Sequence, residues 1–147
     1  MIKRIRTLLL GGDTSPEANL VDERRAVTAA LLVQAAMMDG DFDPSEREVI
    51  SGILTSEFGL ETDAVNTLIL DAETSVQESS QLFGFTRTAS EHLEHDERLS
   101  LMEMLWQVVY ADGVVHDYES SLMRRIGGLL HVTDRENALA RQRALDV

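Results

Sequence analysis

One stretch of this chain occurs twice, and that duplication restricts the fold more than any other feature. Residues 32–53 align with residues 105–126 at a constant offset of 73, and six of the 22 aligned pairs are identical. The identical pairs are Leu32/Leu105, Gln34/Gln107, Asp39/Asp112, Gly40/Gly113, Glu46/Glu119 and Ile53/Ile126. With a slip of one residue, the tripeptide Asp-Glu-Arg at 22–24 also recurs at 96–98. The chain therefore contains two copies of one structural unit.

Each unit, at about 22–58 and 96–130, predicts a long helix, an Asp-Gly turn and a second helix with Glu in its first turn. Apolar residues recur at intervals of three and four in the first helix. The sequence Asp-Pro-Ser-Glu at 43–46 starts the next helix with a capping box. Each pair of helices has an apolar face, and packing the pairs together buries both faces. We predict an all-α, single-domain bundle of about seven or eight helices with a pseudo-twofold repeat.

Further helices are predicted at about 62–78, 81–92 and 134–146 from capping residues and apolar periodicity, and no stretch has a convincing strand pattern. Residues 11–16, Gly-Gly-Asp-Thr-Ser-Pro, have the composition of a loop. We therefore divide the chain into an N-terminal short helix and loop over 1–16 and one helical domain over 17–147.

The chain is strongly acidic, with 26 Asp and Glu residues against 13 Lys and Arg residues and a net charge of −13. Binding to a phosphate backbone depends on clustered Lys and Arg, so we expect no nucleic-acid partner. Cations and basic protein surfaces are the partners that such a chain attracts. The sequence contains no cysteine, which removes disulfides and thiolate chemistry and fits a reducing compartment. We expect a cytoplasmic protein.

The first ten residues differ in charge from the rest. They carry Lys3, Arg4 and Arg6 and no acid, whereas residues 11–147 hold 10 basic and 26 acidic residues, a net charge of −16. Their apolar residues fall on one helical face: Met1, Ile2, Ile5, Leu8 and Leu9. We predict a short helix docked on the body of the protein, and the alternative is a weak contact with a membrane surface. The apolar run at 8–10 is too short for a signal peptide, and no stretch approaches the roughly 18 apolar residues of a membrane span.

Three segments carry a family resemblance. They are AAMMDGDFDPSERE at 35–48, YADGVVHDYE at 110–119 and RRIGGLLHV at 124–132. Together they resemble the TerB-like tellurite-resistance family, in particular its short bacterial members, over roughly residues 20–143. The most specific feature is the pair of Asp-Gly turns, each with Glu six residues after the glycine. The resemblance implies an all-α fold with acids gathered near the two loops, an association with tellurite and stress responses, and a metal-binding role.

Acidic side chains are concentrated at the first turn. Five of them fall within ten residues: Asp39, Asp41, Asp43, Glu46 and Glu48. Hard divalent cations prefer several oxygen ligands of this kind. The stretch is not an EF-hand loop, because Pro44 stands where that loop needs glycine and Ile50 where it needs glutamate. The residues predict a divalent-cation site of another geometry.

The second turn adds an imidazole, since His116 aligns with Asp43. If the pseudo-twofold brings both turns together, a mixed carboxylate–imidazole set surrounds one site. Such a set suits zinc or another transition metal as well as a hard cation. The predicted metal ligands are Asp39, Asp43, Glu46, Asp112, His116 and Glu119.

The same acids have a purely structural interpretation. Asp-Gly is a common turn, a capping box accounts for Asp43 and Glu46, and a carboxylate at Glu119 suits the first turn of a helix. Asp39 and Asp112 are harder to explain, because an acid in the last turn of a helix opposes the helix dipole. A cation, an arginine or a facing amide must compensate there. The alternative function is therefore an acidic protein-interaction scaffold without metal, whose acids are caps and a docking face.

We expect a binding module and no enzyme, and we predict no catalytic residue. An enzyme needs a positioned nucleophile, base or metal-bound water. The sequence has no cysteine, nucleophile elbow, phosphate-cradling glycine loop or HExxH motif. His92 and His95 lie in a polar stretch that predicts a solvated loop between helices. His131 follows two leucines at a helix end, where it is predicted to cap or pack.

Overall fold

The fold of the chain is all-α in a computed structural model that describes residues 16–37, 42–78, 84–112 and 117–146, with side chains from residue 22 except those of 112 and 118. The described residues form seven α-helices, a 3₁₀ turn and no strand. The helices are α1 (Pro16–Met37), α2 (Pro44–Phe58), α3 (Thr62–Glu78), α4 (Gly84–His92), α5 (His95–Val109), α6 (Asp117–Leu129) and α7 (Asp134–Leu145). The all-α prediction is confirmed for this part of the chain, and the helix predicted within 1–10 lies outside it.

Most helix ends lie where local sequence signals predict them. Helix α2 begins with Pro44 and ends before Gly59, which has the left-handed φ of 62° that favours glycine. Helix α1 begins at Pro16, earlier than the predicted start at Asp22, because proline suits the first helical position. Helix α5 ends at Val109, and the chain continues as the 3₁₀ turn Tyr110–Asp112 instead of as α-helix. The predicted start of α4 at residue 81 lies outside the described residues.

Helix α1 is the central helix of the bundle. It packs against α2, α3, α4 and α5. Residues 27–34 are all buried, so this stretch of α1 is covered on every side. A helix that is apolar all round belongs in the interior. The small side chains of Ala29, Ala30 and Ala36, at most 1% exposed, let the neighbouring helices approach closely.

The helix contacts in the two halves of the chain follow the same pattern. In the first half, α3 packs back on α1 and also contacts α2. In the second half, α7 packs back on α5 and also contacts α6. Helices α1 and α5, the long helices of the two repeat units, pack against each other at the centre. The symmetry operation that would relate the units remains a prediction.

No helix in the described part of the chain is long and apolar enough to cross a bilayer.

Candidate functional site

Helix α2, which follows the first Asp-Gly pair in the sequence, begins with a complete capping box. Asp43 is the N-cap, and its Oδ1 accepts hydrogen bonds from the backbone N–H of Glu46 at 2.9 Å and the hydroxyl of Ser45 at 2.6 Å. In return, Glu46 Oε1 accepts from the backbone N–H of Asp43 at 3.4 Å. The bonds from Ser45 and then from the Glu46 backbone lower the pKa of the Asp43 carboxyl, which is ionised at neutral pH. Of the three ligands predicted at the first Asp-Gly pair, Asp43 and Glu46 therefore act as caps.

Arg47 connects the start of α2 with α3. Its guanidinium lies 5.7 Å from the centroid of the Phe42 ring and its Nη1 pairs with Glu73 Oε1. Phe42 is itself half-buried against the core. No local sequence pattern predicts this contact, because Glu73 lies on another helix, 26 residues along the chain from Arg47.

A 3₁₀ turn, Tyr110–Asp112, ends at the aspartate of the second Asp-Gly pair and packs against α2. Its first residue, Tyr110, contacts α7, because the Tyr110 hydroxyl accepts a hydrogen bond from Arg141 Nε at 2.8 Å. The predicted ligand Asp112 is the last residue of the turn, and Glu119 lies half-buried in the first turn of α6. The 3₁₀ turn thus lies against the helix that Asp43 caps.

The described residues do not form a metal site by themselves. Asp39 and His116 lie outside them, and Asp112 is described only in its backbone. Among the described side chains, no group of three or more His, Asp or Glu residues is arranged to hold a metal ion. Asp43 and Glu46 have carboxylates of the right chemistry, but both are engaged in the cap. A cation site at the two Asp-Gly pairs therefore needs at least one ligand from outside the described side chains, and the predicted ones are Asp39, Asp112 and His116.

A groove lined by acidic residues runs between α2 and α5, and we call it the acidic groove. It has a volume of about 430 Å³. Val49, Ile53 and Met104 supply its apolar lining, and Glu48, Glu57 and Glu103 supply its acids. None of these glutamates forms a salt bridge with another residue in the described ranges. The groove thus combines apolar surface with three carboxylates that lack a basic partner there.

A smaller hollow extends the acidic groove towards α1. This hollow, of about 170 Å³, shares Glu57, Ser100 and Met104 with the larger one. It ends at Arg24 of α1, whose Nη1 lies 3.3 Å from Glu97 Oε2. The groove therefore reaches from the middle of α5 to the first half of α1.

His95 is exposed, as predicted, whereas His92 is half-buried, and both histidines belong to helices instead of a solvated loop. Nε2 of His92 lies 3.0 Å from Glu23 Oε2, and its Nδ1 lies 3.0 Å from the Thr88 carbonyl oxygen. Nε2 of His95 lies 2.7 Å from Glu136 Oε2. Both carboxylates come from other helices, so the local composition of the stretch could not show them. These pairs fasten the α4–α5 connection to α1 and α7.

Glu136 is also half of the capping box that begins α7. The backbone N–H of Thr133 donates to its Oε1 at 3.0 Å, and the Thr133 hydroxyl accepts from the backbone N–H of Glu136 at 3.1 Å. The Thr133 backbone bond and then the bond to His95 lower the pKa of Glu136 to about 2. Glu136 therefore serves as both a cap and a tertiary contact.

His131 ends α6, as predicted for a capping residue. Its φ of 59° is left-handed, its N–H donates to Gly128 O at 3.2 Å, and the N–H of Val132 donates to Gly127 O at 2.8 Å. This pair of bonds is a Schellman motif, whose left-handed position usually holds glycine. The side chain of His131 is exposed, so this residue ends the helix through its backbone conformation, and the next residue, Val132, is buried.

The fold of the described residues defines a class: an all-α helical module. The family model described as Tellurite resistance protein TerB matches residues 25–142, most of the chain. The chain therefore belongs to the TerB family. No curated protein and no solved structure matches it.

Proposed function

We propose that this TerB-family chain is a non-catalytic module that binds a divalent cation at its two Asp-Gly turns and acts in tellurite resistance or a related stress response. The observation that carries the proposal is the packing of the 3₁₀ turn ending at Asp112 against α2, the helix that Asp43 begins. The duplication supplies an acid at the same place in both units, at Asp39 and Asp112. The connection with tellurite and stress rests on family membership.

The proposed ligands have different chemical roles. Asp39 and Asp112 are the acids that capping does not explain, and they are the primary ligands of the proposal. His116 adds a nitrogen donor where the first unit has Asp43. A carboxylate set alone favours calcium or magnesium, whereas an added imidazole favours zinc or another transition metal. The contribution of His116 therefore decides the metal class.

Titration calorimetry of chelator-treated protein with Ca²⁺, Mg²⁺, Mn²⁺ and Zn²⁺ tests the proposal. We expect saturable binding at micromolar metal that is lost in the Asp39→Asn/Asp112→Asn variant. The matched control is Asp63→Asn/Asp134→Asn, which removes the same charge from two exposed first-turn positions of α3 and α7. The control should bind metal like the wild type. Absence of saturable heat, together with an unchanged melting temperature at millimolar metal, overturns the proposal.

A second candidate function is an acidic interaction scaffold that needs no metal. The acidic groove favours it, because Glu48, Glu57 and Glu103 have no basic partner among the described residues and border apolar surface. Charged rims around an apolar floor suit a basic amphipathic helix. Glu48→Lys/Glu103→Lys should abolish binding of such a peptide and leave the heat of metal binding unchanged. Loss of the metal signal instead would assign these acids to the cation site.

A further inference from the structure

The acidic groove and the first ten residues of the chain are complementary in charge. The groove carries Glu48, Glu57 and Glu103 beside apolar side chains. Residues 1–10 carry three of the 13 basic residues of the chain and no acid. A positive segment tethered to a protein of opposite charge is drawn to its acidic surface before any specific contact forms.

The pattern of residues 1–10 also matches a groove with acids on both helices. At 100° per residue, the apolar face of Ile2, Ile5 and Leu9 has Arg4 on one side and Arg6 on the other. The groove carries the opposite charge on both of its helices, with Glu48 and Glu57 on α2 and Glu103 on α5. A helix seated on the apolar lining would place a cation at each rim.

The lengths agree as well. From Glu48 to Glu57 the groove extends about 14 Å along α2, and a ten-residue helix is about 15 Å long at 1.5 Å per residue. Arg24 lines the smaller hollow that extends the groove, and Pro16 lies about 12 Å from Arg24 along α1 by the same rise. The connection 11–15 can span about 17 Å when extended. Residues 1–10 are therefore long enough, and attached closely enough, to lie in the groove.

We propose that the acidic groove between α2 and α5 binds the N-terminal segment 1–10 of the same chain as a short basic amphipathic helix. The segment then covers the surface on which the scaffold candidate relies and competes with any basic partner for it. This inference rests on the groove of the second candidate function and is independent of the cation proposal.

A spin label on the outward side of the segment tests the proposal in the full chain. The chain has no cysteine, so Thr7→Cys gives one labelling site, and residue 7 falls on the polar side of the helical pattern. We expect the label to broaden the amide NMR signals of Gly52, Ser56 and Ser100, which line the groove, and to spare that of Gly128 on α6. Lys3→Glu/Arg4→Glu/Arg6→Glu should abolish the selective broadening.

Two glycines supply a matched pair of blocking variants. Gly52 lines the groove and Gly128 lies on α6; both are exposed helical residues, and an added Cβ at either has no heavy atom within 4 Å. Gly52→Trp should fill the groove and remove the broadening at Ser100. Gly128→Trp should leave that broadening unchanged.

Three results would overturn the proposal. Equal broadening of groove and α6 signals, or none, shows that the segment does not dock there. Broadening that appears only between spin-labelled and isotope-labelled molecules in a mixture assigns the groove to a second copy. If the label broadens nothing but a peptide of residues 1–12 shifts the groove signals, the groove accepts a basic helix from another protein. The scaffold function then stands without the intramolecular contact, whereas a peptide that does not bind removes both.

Discussion

Asp43 shows how far backbone hydrogen bonding explains a residue that was also predicted as a metal ligand. Its carboxylate receives the N–H of Glu46, which α2 leaves without a helical partner. We predict that Asp43→Ala lowers the free energy of unfolding by about 1 kcal/mol, the usual cost of losing a cap. Chemical denaturation in the presence of a chelator measures it, and Asp43→Asn should keep most of the stability. A loss that appears only when metal is added would show that the carboxylate serves the cation first.

His131 lies in a backbone conformation that a side chain disfavours. At φ 59° its Cβ crowds the following carbonyl, which costs an L-residue about 1 kcal/mol or more. We predict that His131→Gly raises the free energy of unfolding by up to about 1 kcal/mol, because glycine adopts this conformation without that cost. His131→Ala is the control, since it removes the imidazole and keeps the Cβ. Equal stabilisation by alanine and glycine would locate the strain in the ring instead.

At the scale of residues, the sequence predicts what depends on neighbours within one turn. The capping box of Asp43 and Glu46 was predicted correctly, because such a box is defined by residues three apart. The pairing of His92 with Glu23 and of His95 with Glu136 was not predicted, because the two glutamates come from distant parts of the chain. No local pattern contains that information.

Among the helices, α5, α6 and α7 are joined by one buried amide. Asn137 of α7 accepts a hydrogen bond from Trp106 Nε1 at 2.8 Å and donates to the Met123 carbonyl oxygen at 3.1 Å. We predict that Asn137→Ala lowers the free energy of unfolding by roughly 2–4 kcal/mol, because the buried Trp106 N–H loses its acceptor and the Met123 carbonyl oxygen loses a hydrogen bond. The matched control is Asn66→Ala on the exposed side of α3, expected to change stability by less than about 0.5 kcal/mol. Thermal or chemical denaturation compares them, and similar effects of the two changes would contradict the role of the buried amide.

The sequence predicts the position of a helix end correctly wherever residues at that end, such as proline or glycine, determine it. Helix α2 begins at Pro44 and ends before Gly59 as predicted, since each of these residues acts through its own backbone conformation. The end of α5 is different. There the 3₁₀ turn is held by Arg141 of α7, which bonds to Tyr110 and lies 4.9 Å from the centroid of the Trp106 ring. A tertiary contact of this kind decides the last turn of a helix without leaving a signal in the helix itself.

On the scale of the whole molecule, the duplication predicted the helix pairs but not the distances between them. The alignment of Asp39 with Asp112 places an acid at matching points of both units. Whether these acids meet depends on how α1 and α5 cross, which an alignment does not contain. The acidic groove is a consequence of the same unpredicted geometry, because Glu48 and Glu103 lie on different helices whose separation is set by the core.

Acid titration of the whole fold should reveal the contact that Glu136 makes between the starts of α5 and α7. Its pKa is lowered from 4.5 to about 2 in the folded protein, first by the Thr133 backbone and then by His95. A carboxyl whose folded pKa is lowered stabilises the protein above its unfolded pKa and loses that contribution as the pH falls through the folded value. We therefore predict that wild type is more stable than Glu136→Ala at neutral pH, and that the difference narrows between about pH 4.5 and 2.

Urea denaturation at a series of pH values, wherever both proteins are folded, gives this difference directly. The matched control is Asp134→Ala, which removes an exposed carboxylate from the first turn of the same helix but has no side-chain hydrogen bond to a described residue. The difference in free energy of unfolding between Asp134→Ala and wild type should vary much less over the same pH range. A Glu136→Ala difference that stays constant from pH 7 to pH 2 would mean that the ionised carboxylate contributes nothing. The α5–α7 contact would then depend on packing alone.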